Sequence, residues 1–259
     1  MTAGNIRLAC RKIGNGPPLI LVNGIASAMD TWNPQVLECL SANHRLVIFD
    51  ARGTGFSGPS GGAGSISLYA RDVLHLMDAL GIACADILGF SMGASVAQEL
   101  AIGFPDRVGR LVLVAGTCGG GEAAGTDPGV WDRLLDKRGS VEVVSRRMFS
   151  LIFPAPWLES HDPLRYCPDV SETTPAEEIA RQAEAFCSWP GSYDRLDRIR
   201  LPVLVIAGSE DAVIPPENSV LLCKKIPGAR LELFYGAGHG LMYQCPERFC
   251  DCVADFLDR

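Results

Sequence analysis

The chain is poor in basic residues and has no cluster of them. Its 23 Lys and Arg are outnumbered by 30 Asp and Glu, which gives a formal net charge of −7. Because proteins that bind nucleic acid contact phosphates through a basic surface, this deficit argues against nucleic-acid binding. Long apolar runs are also missing, and no segment approaches the roughly 18 apolar residues of a membrane span. The segment Met1–Asn15 lacks the pattern of a signal peptide, so we expect a cytoplasmic protein without a membrane partner.

Cysteine is plentiful, but the ten cysteines are scattered and none forms a Cys-x-x-Cys pair. The densest group is Cys245, Cys250 and Cys252. A Cys-x-Cys pair on a predicted helix points its two thiols apart, which disfavours a zinc site there. We therefore predict reduced thiols and neither a metal nor an organic cofactor.

The sequence does contain short apolar strands that alternate with helical patterns. This alternation predicts an α/β fold with a mostly parallel central sheet and helices on both faces. Strands are predicted at Arg7–Lys12, Leu19–Val22, Leu46–Asp50, Asp86–Phe90, Leu111–Ala115, Val203–Ala207 and Leu231–Tyr235. The clearest helices are predicted at Ser67–Leu80, at Met92–Gly103 and from Pro246 through Phe256.

The segment from Thr117 to about Arg195 interrupts this alternation. It contains a glycine-rich stretch at 119–129 and helical patterns at Val141–Phe153 and Glu177–Phe186, but no convincing strand. Prolines separate the helical patterns, as is typical of helices joined by loops.

This interruption divides the chain into a core and an insertion. We predict that residues 1–117 and 196–259 form the core and that residues 118–195 form a helical insertion. The large apolar side chains of the insertion are expected to pack mainly on one another. They are Trp131, Met148, Phe149, Phe153, Trp157 and Trp189.

A G-x-S-x-G pattern, Gly89-Phe90-Ser91-Met92-Gly93, lies where a predicted strand passes directly into a predicted helix. A sharp turn there strains the serine backbone, and glycines leave room for the turn. The hydroxyl then lies at the head of a helix, where the helix dipole favours a developing negative charge. Ser91 could serve only as a helix cap, but a cap does not need glycine on both sides. We therefore predict that Ser91 is a nucleophile.

A serine hydroxyl is a weak nucleophile unless a base takes its proton and an acid orients the base. Among the four histidines, His239 alone follows a predicted strand within a glycine-rich loop. The positions of the others favour structural or surface roles; they are His44, His75 and His161. Asp211 lies at the carboxyl end of a predicted strand, where parallel sheets build their sites. We predict His239 as the base and Asp211 as the acid, and we expect its neighbour Glu210 to be a surface residue.

The chain order Ser91, Asp211, His239 resembles that of the α/β-hydrolase fold family. The resemblance covers nearly the whole chain and includes Phe49–Ser57, which is similar to the D-x-R-G-x-G-x-S turn of many members. It implies an α/β-hydrolase fold in which the insertion is a helical cap and the two charged residues of that turn are mainly structural. Relatives that are dehalogenases or epoxide hydrolases carry aspartate at the nucleophile position, so the resemblance points away from them.

The resemblance also gives a role to Val22-Asn23-Gly24-Ile25, where a predicted buried strand ends. It implies that the loop supplies one backbone amide of an oxyanion hole, from Ile25, and that Met92 supplies the other. Many relatives have His-Gly where this chain has Asn23-Gly24. Because the donor is a backbone amide, the difference leaves the hole intact, and we expect Asn23 to anchor the loop by side-chain hydrogen bonds.

Together these residues predict a serine hydrolase that cleaves a carboxylic ester or lactone through an acyl-enzyme. Its partner is expected to be a small, largely apolar substrate. A C–C bond hydrolase, a thioesterase or acyltransferase, and a cofactor-free haloperoxidase can keep the same three residues and remain alternatives. A non-catalytic small-molecule binder is the alternative from another class of protein, and the complete set of three residues argues against it.

Overall fold

A computed structural model describes residues 1–168 and 174–258. Its strands are β1 (Thr2–Ala3), β2 (Ile6–Arg7), β3 (Cys10–Ile13), β4 (Pro18–Val22), β5 (Arg45–Phe49), β6 (Ala85–Phe90), β7 (Val108–Val114), β8 (Val203–Gly208) and β9 (Arg230–Phe234). Its α-helices are α1 (Pro34–Ser41), α2 (Ile66–Ala79), α3 (Met92–Gly103), α4 (Pro128–Leu135), α5 (Val141–Ile152), α6 (Ala155–Ser160), α7 (Ala176–Cys187), α8 (Glu217–Lys225), α9 (Leu241–Gln244) and α10 (Pro246–Leu257).

The main sheet has seven strands in the order β3-β5-β4-β6-β7-β8-β9. The edge strand β3 runs antiparallel to β5, and every other neighbouring pair is parallel. Strands β1 and β2 pair with each other in a separate antiparallel sheet. The prediction of an α/β fold with a mostly parallel central sheet is confirmed.

Both faces of the sheet are buried under helices. Along β4, Ile20 and Val22 belong to the core cluster that includes α2 and α3. Leu19 and Leu21 point the other way, into the cluster that includes α1 and α10. This two-sided burial explains the continuous apolar runs of strands such as β4 and β8. It also leaves the carboxyl ends of the parallel strands together at one edge, which is where the predicted site residues lie.

Two predicted details are wrong. The single strand predicted at Arg7–Lys12 is divided into β2, which pairs with β1, and β3, which pairs with β5 in the main sheet. The short helices α4 and α6 are also present, although the sequence patterns predict no helix at either segment. Each carries proline at its first or second position, where a missing N–H costs nothing.

Helices α4 to α7 lie between β7 and β8, and the described residues there contain no strand. Residues 169–173 of the predicted insertion lie outside the described residues, and the limits 118–195 stay a prediction. Phe153 stacks on Trp157 at 4.6 Å and contacts Phe149, as expected of an insertion core. Trp189 differs: it packs on the main core, and its indole N–H donates to Glu99 at 2.8 Å.

No helix in the described part of the chain is both long enough and apolar enough to cross a membrane. The helix α2, for example, has 14 residues, and charged residues interrupt its apolar face.

The two charged residues of the Phe49–Ser57 turn act within the fold. The Asp50 carboxylate accepts the N–H groups of Met29 at 2.7 Å and Phe56 at 2.9 Å. Burial raises the pKa of Asp50, and these two hydrogen bonds offset part of that rise. Arg52 forms a bidentate pair with Asp72 of α2, at 2.5 and 2.6 Å, and both side chains are buried.

Removing one partner of this buried pair should be strongly destabilising. We expect Asp72→Ala to lower the free energy of unfolding by about 3–5 kcal/mol, because the Arg52 guanidinium is left buried without its counter-charge. A matched control is Asp78→Ala on the same helix, whose pair with Arg107 is partly solvent-exposed. That change should cost about 1 kcal/mol or less. Urea unfolding followed by circular dichroism measures both, and equal losses would contradict the prediction.

Candidate active site

Ser91 occupies a strained turn between β6 and α3. Its φ of 56° and ψ of −122° are rare for a residue other than glycine. The flanking glycines are required by close backbone contacts. A Cβ on Gly89 would lie 2.3 Å from the carbonyl oxygen of Gly93, and a Cβ on Gly93 would lie 2.1 Å from that of Val22. The turn therefore has the strain and the tight space that the sequence pattern predicts.

The fold brings Ser91, His239 and Asp211 into one hydrogen-bonded chain. His239 Nε2 lies 3.1 Å from Ser91 Oγ, and His239 Nδ1 lies 2.8 Å from Asp211 Oδ2. A carboxylate can only accept, so the proton of the neutral imidazole belongs on Nδ1 and leaves Nε2 to accept from the serine hydroxyl. Asp211 and His239 are 4% and 5% exposed, so water screens their interaction weakly.

The acid is held by its own loop. Asp211 Oδ1 accepts the N–H groups of Val213 at 2.9 Å and Ile214 at 2.8 Å, which leaves Oδ2 directed at His239. Its neighbour Glu210 is exposed, as expected of a surface residue.

The loop that carries His239 is held from two sides. The Gly240 N–H donates to Ile152 O at the end of α5, at 2.8 Å, and the Gly238 N–H donates to Gln244 Oε1 at 2.7 Å. The ring of Phe90 lies 5.0 Å from the imidazole and packs against it. The insertion therefore contributes to the position of the imidazole.

The loop after β4 runs alongside Ser91. A Cβ on Gly24 would lie 3.1 Å from Ser91 Cβ and 3.5 Å from Ser91 Oγ, so glycine keeps the space next to the hydroxyl open. Asn23 anchors the loop as predicted: Nδ2 donates to Ala28 O and to Thr31 Oγ1, both at 2.9 Å. Its Oδ1 accepts the Gly24 N–H at 3.2 Å.

The two amides predicted for the oxyanion hole belong to Ile25 in this loop and Met92 at the start of α3. Neither amide donates a hydrogen bond to another residue within the described ranges. The N-terminal end of α3 adds the positive end of its helix dipole. The arrangement can stabilise negative charge next to Ser91.

Sequence reasoning missed two residues that contact this loop. Gln182 Oε1 accepts the Ala26 N–H at 2.8 Å, and Thr174 Oγ1 donates to Ala26 O at 3.1 Å. Both come from the insertion and look like ordinary polar residues in the sequence, so no local signal marks them.

The insertion covers the acid loop with apolar side chains. Val213 and Ile214, which follow Asp211 closely, form a buried cluster with Leu151 of α5. Partly buried residues of α4, α5 and α7 pack against this cluster; they are Val130, Leu134, Ile152 and Phe186. The loops after β4, β6, β8 and β9 contain no Lys or Arg over residues 22–28, 89–96, 208–216 and 236–243. The surroundings of the three residues are therefore largely apolar.

All ten cysteine thiols are free in the structure. Over residues 1–168 and 174–258, no group of three or more His, Cys, Asp and Glu side chains is arranged to hold a metal ion.

The comparisons with known proteins identify the family and the fold of the chain. The family model described as the alpha/beta hydrolase fold matches residues 17–244, and the chain belongs to this family. The enol-lactonase from Burkholderia xenovorans LB400 is similar in structure, with a TM-score of 0.86, 27% identity and coverage of 99% of this chain and 98% of its own.

Two relatives are similar in sequence. A 2-hydroxy-6-oxononadienedioate/2-hydroxy-6-oxononatrienedioate hydrolase from Cupriavidus pinatubonensis is 29% identical over 97% of this chain and 90% of its own length. A protein of Azorhizobium caulinodans provisionally named carbamate hydrolase RutD is 30% identical over 94% of this chain and 92% of its own. The family match and the hydrolase names of these relatives support an enzyme with a hydrolase fold and do not specify its substrate.

The crowding around the Ser91 turn can be tested by adding one methyl group at Gly93. Gly93→Ala should lower the free energy of unfolding by about 1–3 kcal/mol or more, because the new Cβ would collide with the Val22 carbonyl. Gly103→Ala, at the other end of α3, is the control, since a Cβ there meets no atom within 4 Å. It should be neutral or stabilise by up to about 1 kcal/mol. Thermal unfolding measures both, and a neutral Gly93→Ala would contradict the close approach.

Proposed function

We propose that this protein is a serine hydrolase that cleaves a carboxylic ester or lactone through an acyl-enzyme. The observation that carries the proposal is the continuous hydrogen-bonded chain from Ser91 Oγ through His239 to Asp211, with a strained serine turn at its head. This combination supports the roles proposed for Ser91 as nucleophile, His239 as base and Asp211 as orienting acid, since each is within hydrogen-bond reach of the next.

The proposed reaction has two halves. His239 Nε2 takes the proton of Ser91 as Oγ forms a bond with the substrate carbonyl carbon. The imidazolium then gives this proton to the departing alcohol oxygen, and the carbon–oxygen bond of the ester breaks. In the second half, water loses a proton to His239 and attacks the acyl-enzyme, and Ser91 recovers its proton as the acid leaves. Asp211 holds the imidazole in the required tautomer and stabilises its cationic form.

The amides of Ile25 and Met92 are proposed to stabilise the oxyanion that forms in both halves. Each such donor is worth about 3–4 kcal/mol of transition-state free energy in well-studied hydrolases. No metal or cofactor takes part in the proposed steps.

The surroundings support an apolar, uncharged substrate. The insertion places apolar side chains next to the Asp211 loop, and the four loops that bring the site together carry no cation to pair with an anionic substrate. The similarity to the B. xenovorans enol-lactonase supports a lactone or an enol ester in particular.

A C–C bond hydrolase is the second candidate. The relative from C. pinatubonensis is named for 2-hydroxy-6-oxononadienedioate, a ketone dicarboxylate without an ester. Such a dianion would need cationic partners, and the four site loops offer none, so we rank the ester or lactone first. Turnover of p-nitrophenyl esters, lactones and β-diketones in one panel separates the two candidates, and peroxide-dependent halogenation tests the haloperoxidase alternative.

Replacing the nucleophile should abolish hydrolysis. We expect Ser91→Ala to lower kcat for a p-nitrophenyl ester or lactone at least about 1,000-fold with the fold unchanged. The control is Ser95→Ala on the same helix, whose buried hydroxyl has no hydrogen-bond partner among the described residues. It should keep the parental rate. A fluorophosphonate probe should label the parental protein at Ser91, and the absence of label on folded protein would favour a non-catalytic binder.

The acid can be distinguished from its neighbour. Asp211→Asn should lower kcat by about 1,000- to 10,000-fold, because the Asn amide group would donate to Nδ1 and put the imidazole proton on Nε2. The Asn oxygen can still accept from Val213 and Ile214, so the loop should keep its shape. Glu210→Gln should leave kcat within about twofold of the parental value. Comparable losses in the two variants would contradict the assignment.

A further inference from the structure

The residue after Ile25 has an unusual backbone that the insertion holds in place. Ala26 has a φ of +62°, a conformation that costs about 1 kcal/mol or more for a residue with a Cβ. Its N–H donates to Gln182 Oε1 at 2.8 Å, and its carbonyl accepts from Thr174 Oγ1 at 3.1 Å. Gln182 is on α7 and Thr174 precedes that helix. Both polar groups of the Ala26 backbone are thus bound by side chains of the insertion.

The orientation of the Gln182 amide is determined by its partners. A backbone N–H can only donate, so the oxygen of Gln182 must face Ala26. Its Nε2 then donates to Thr54 Oγ1 at 2.8 Å. Gln182 is 1% exposed and Thr54 is fully buried, so no solvent can replace either partner. Reversing the amide would place two donors against each other in a buried site, which is costly.

This contact bears on the amide of Ile25. The peptide plane between Ile25 and Ala26 is held on one side by the hydrogen bond from Ala26 N–H to Gln182 and on the other by Ser27 Oγ, which donates to Ile25 O at 3.3 Å. The preceding part of the loop is anchored by Asn23, which binds the Gly24 N–H. The Ile25 N–H lies between these two anchored peptide units, so its direction depends on both. Without Gln182, the bonds from Thr174 and Ser27 remain, but the Ala26 N–H loses its partner and Ala26 is freer to relax to a more favourable backbone conformation.

We propose that Gln182 is a positioning residue that holds the Ile25 amide in the direction needed to stabilise the oxyanion. This inference rests on the proposed hydrolase function. Because Gln182 is on α7, stabilisation of the transition state then depends on the contact between α7 and the core. The insertion would position a catalytic group in addition to covering the site. Because the oxyanion forms only after Ser91 attacks, the effect should fall on kcat rather than on substrate binding.

The test is kinetic and uses the whole protein. Gln182→Met, close in volume but unable to hydrogen-bond Ala26, should lower kcat for a p-nitrophenyl ester about 10- to 100-fold. KM should change by about threefold or less. A trifluoromethyl ketone, which forms a tetrahedral oxyanion adduct with Ser91, should bind more weakly by the same factor as the loss in kcat/KM. A role in stability alone would not produce this parallel loss.

Two further variants keep the inference testable if Gln182→Met folds poorly. Gln182→Asn keeps the amide but is one methylene too short for both partners, and it should show the same split between kcat and KM. Gln182→Glu keeps an oxygen for the Ala26 N–H and should recover kcat to within about threefold of the parental value. A loss in Gln182→Glu as large as that in Gln182→Asn would overturn the role of the oxygen.

The matched control is Gln98→Met, which removes a second buried glutamine of the described chain, one whose Nε2 donates to the backbone carbonyls of Ala94 and Thr117. It should lower the melting temperature comparably and leave kcat within about twofold. If Ser91→Ala is inactive but a folded Gln182→Met protein keeps the parental kcat, the inference about Gln182 is overturned. Parental activity in Ser91→Ala would instead overturn the proposed function, so the two failures are distinguishable.

Discussion

The close approach of the α3 N-terminus to the end of β4 is the constraint on which the site depends. There is no room for a side chain at Gly93 because the Val22 carbonyl lies where its Cβ would be. The same crowding brings Gly24 next to Ser91 and leaves the serine in a left-handed conformation. Such strain costs of order 1–3 kcal/mol and persists only where the surrounding structure determines it. Here the Ser91 N–H bond to Val114 O and the burial of both sheet faces supply that support.

The insertion contacts three of the four loops that the sheet contributes to the site, those after β4, β8 and β9. It accepts the Gly240 N–H through Ile152 O beside His239, and it packs apolar residues on the segment after Asp211. Through Gln182 it also binds the loop after β4. The candidate site is therefore an interface between two parts of one chain. A movement of the insertion would therefore displace the loops that carry Asp211 and His239.

Local patterns predict the mostly parallel sheet, and they select three residues that the fold brings into hydrogen-bond contact. Strands buried on both faces are largely apolar, so neighbouring residues predict β4 and β6. Glycines on both sides of a serine predict the strained turn at Ser91. Helix α6 is not predicted, because prolines separate the helical patterns of the insertion, although the same residue that breaks a helix interior suits a helix start. Gln182 could not have been found this way. Its bond to Ala26 spans 156 positions, and nothing in the neighbouring sequence distinguishes it from a solvated glutamine.

The distance along the chain between the central residues has a consequence for synthesis. Ser91 and His239 are 148 positions apart, and the acid lies between them, so the nucleophile emerges from the ribosome long before its base. In the proposed mechanism, Ser91 therefore has no proton acceptor until the segment that carries His239 has been made. The proposed arrangement of Ser91 and His239 forms only when β9 has joined the edge of the sheet and the loop after it lies next to Ser91. The proposed reactivity of Ser91 therefore depends on the addition of the last strand to the sheet.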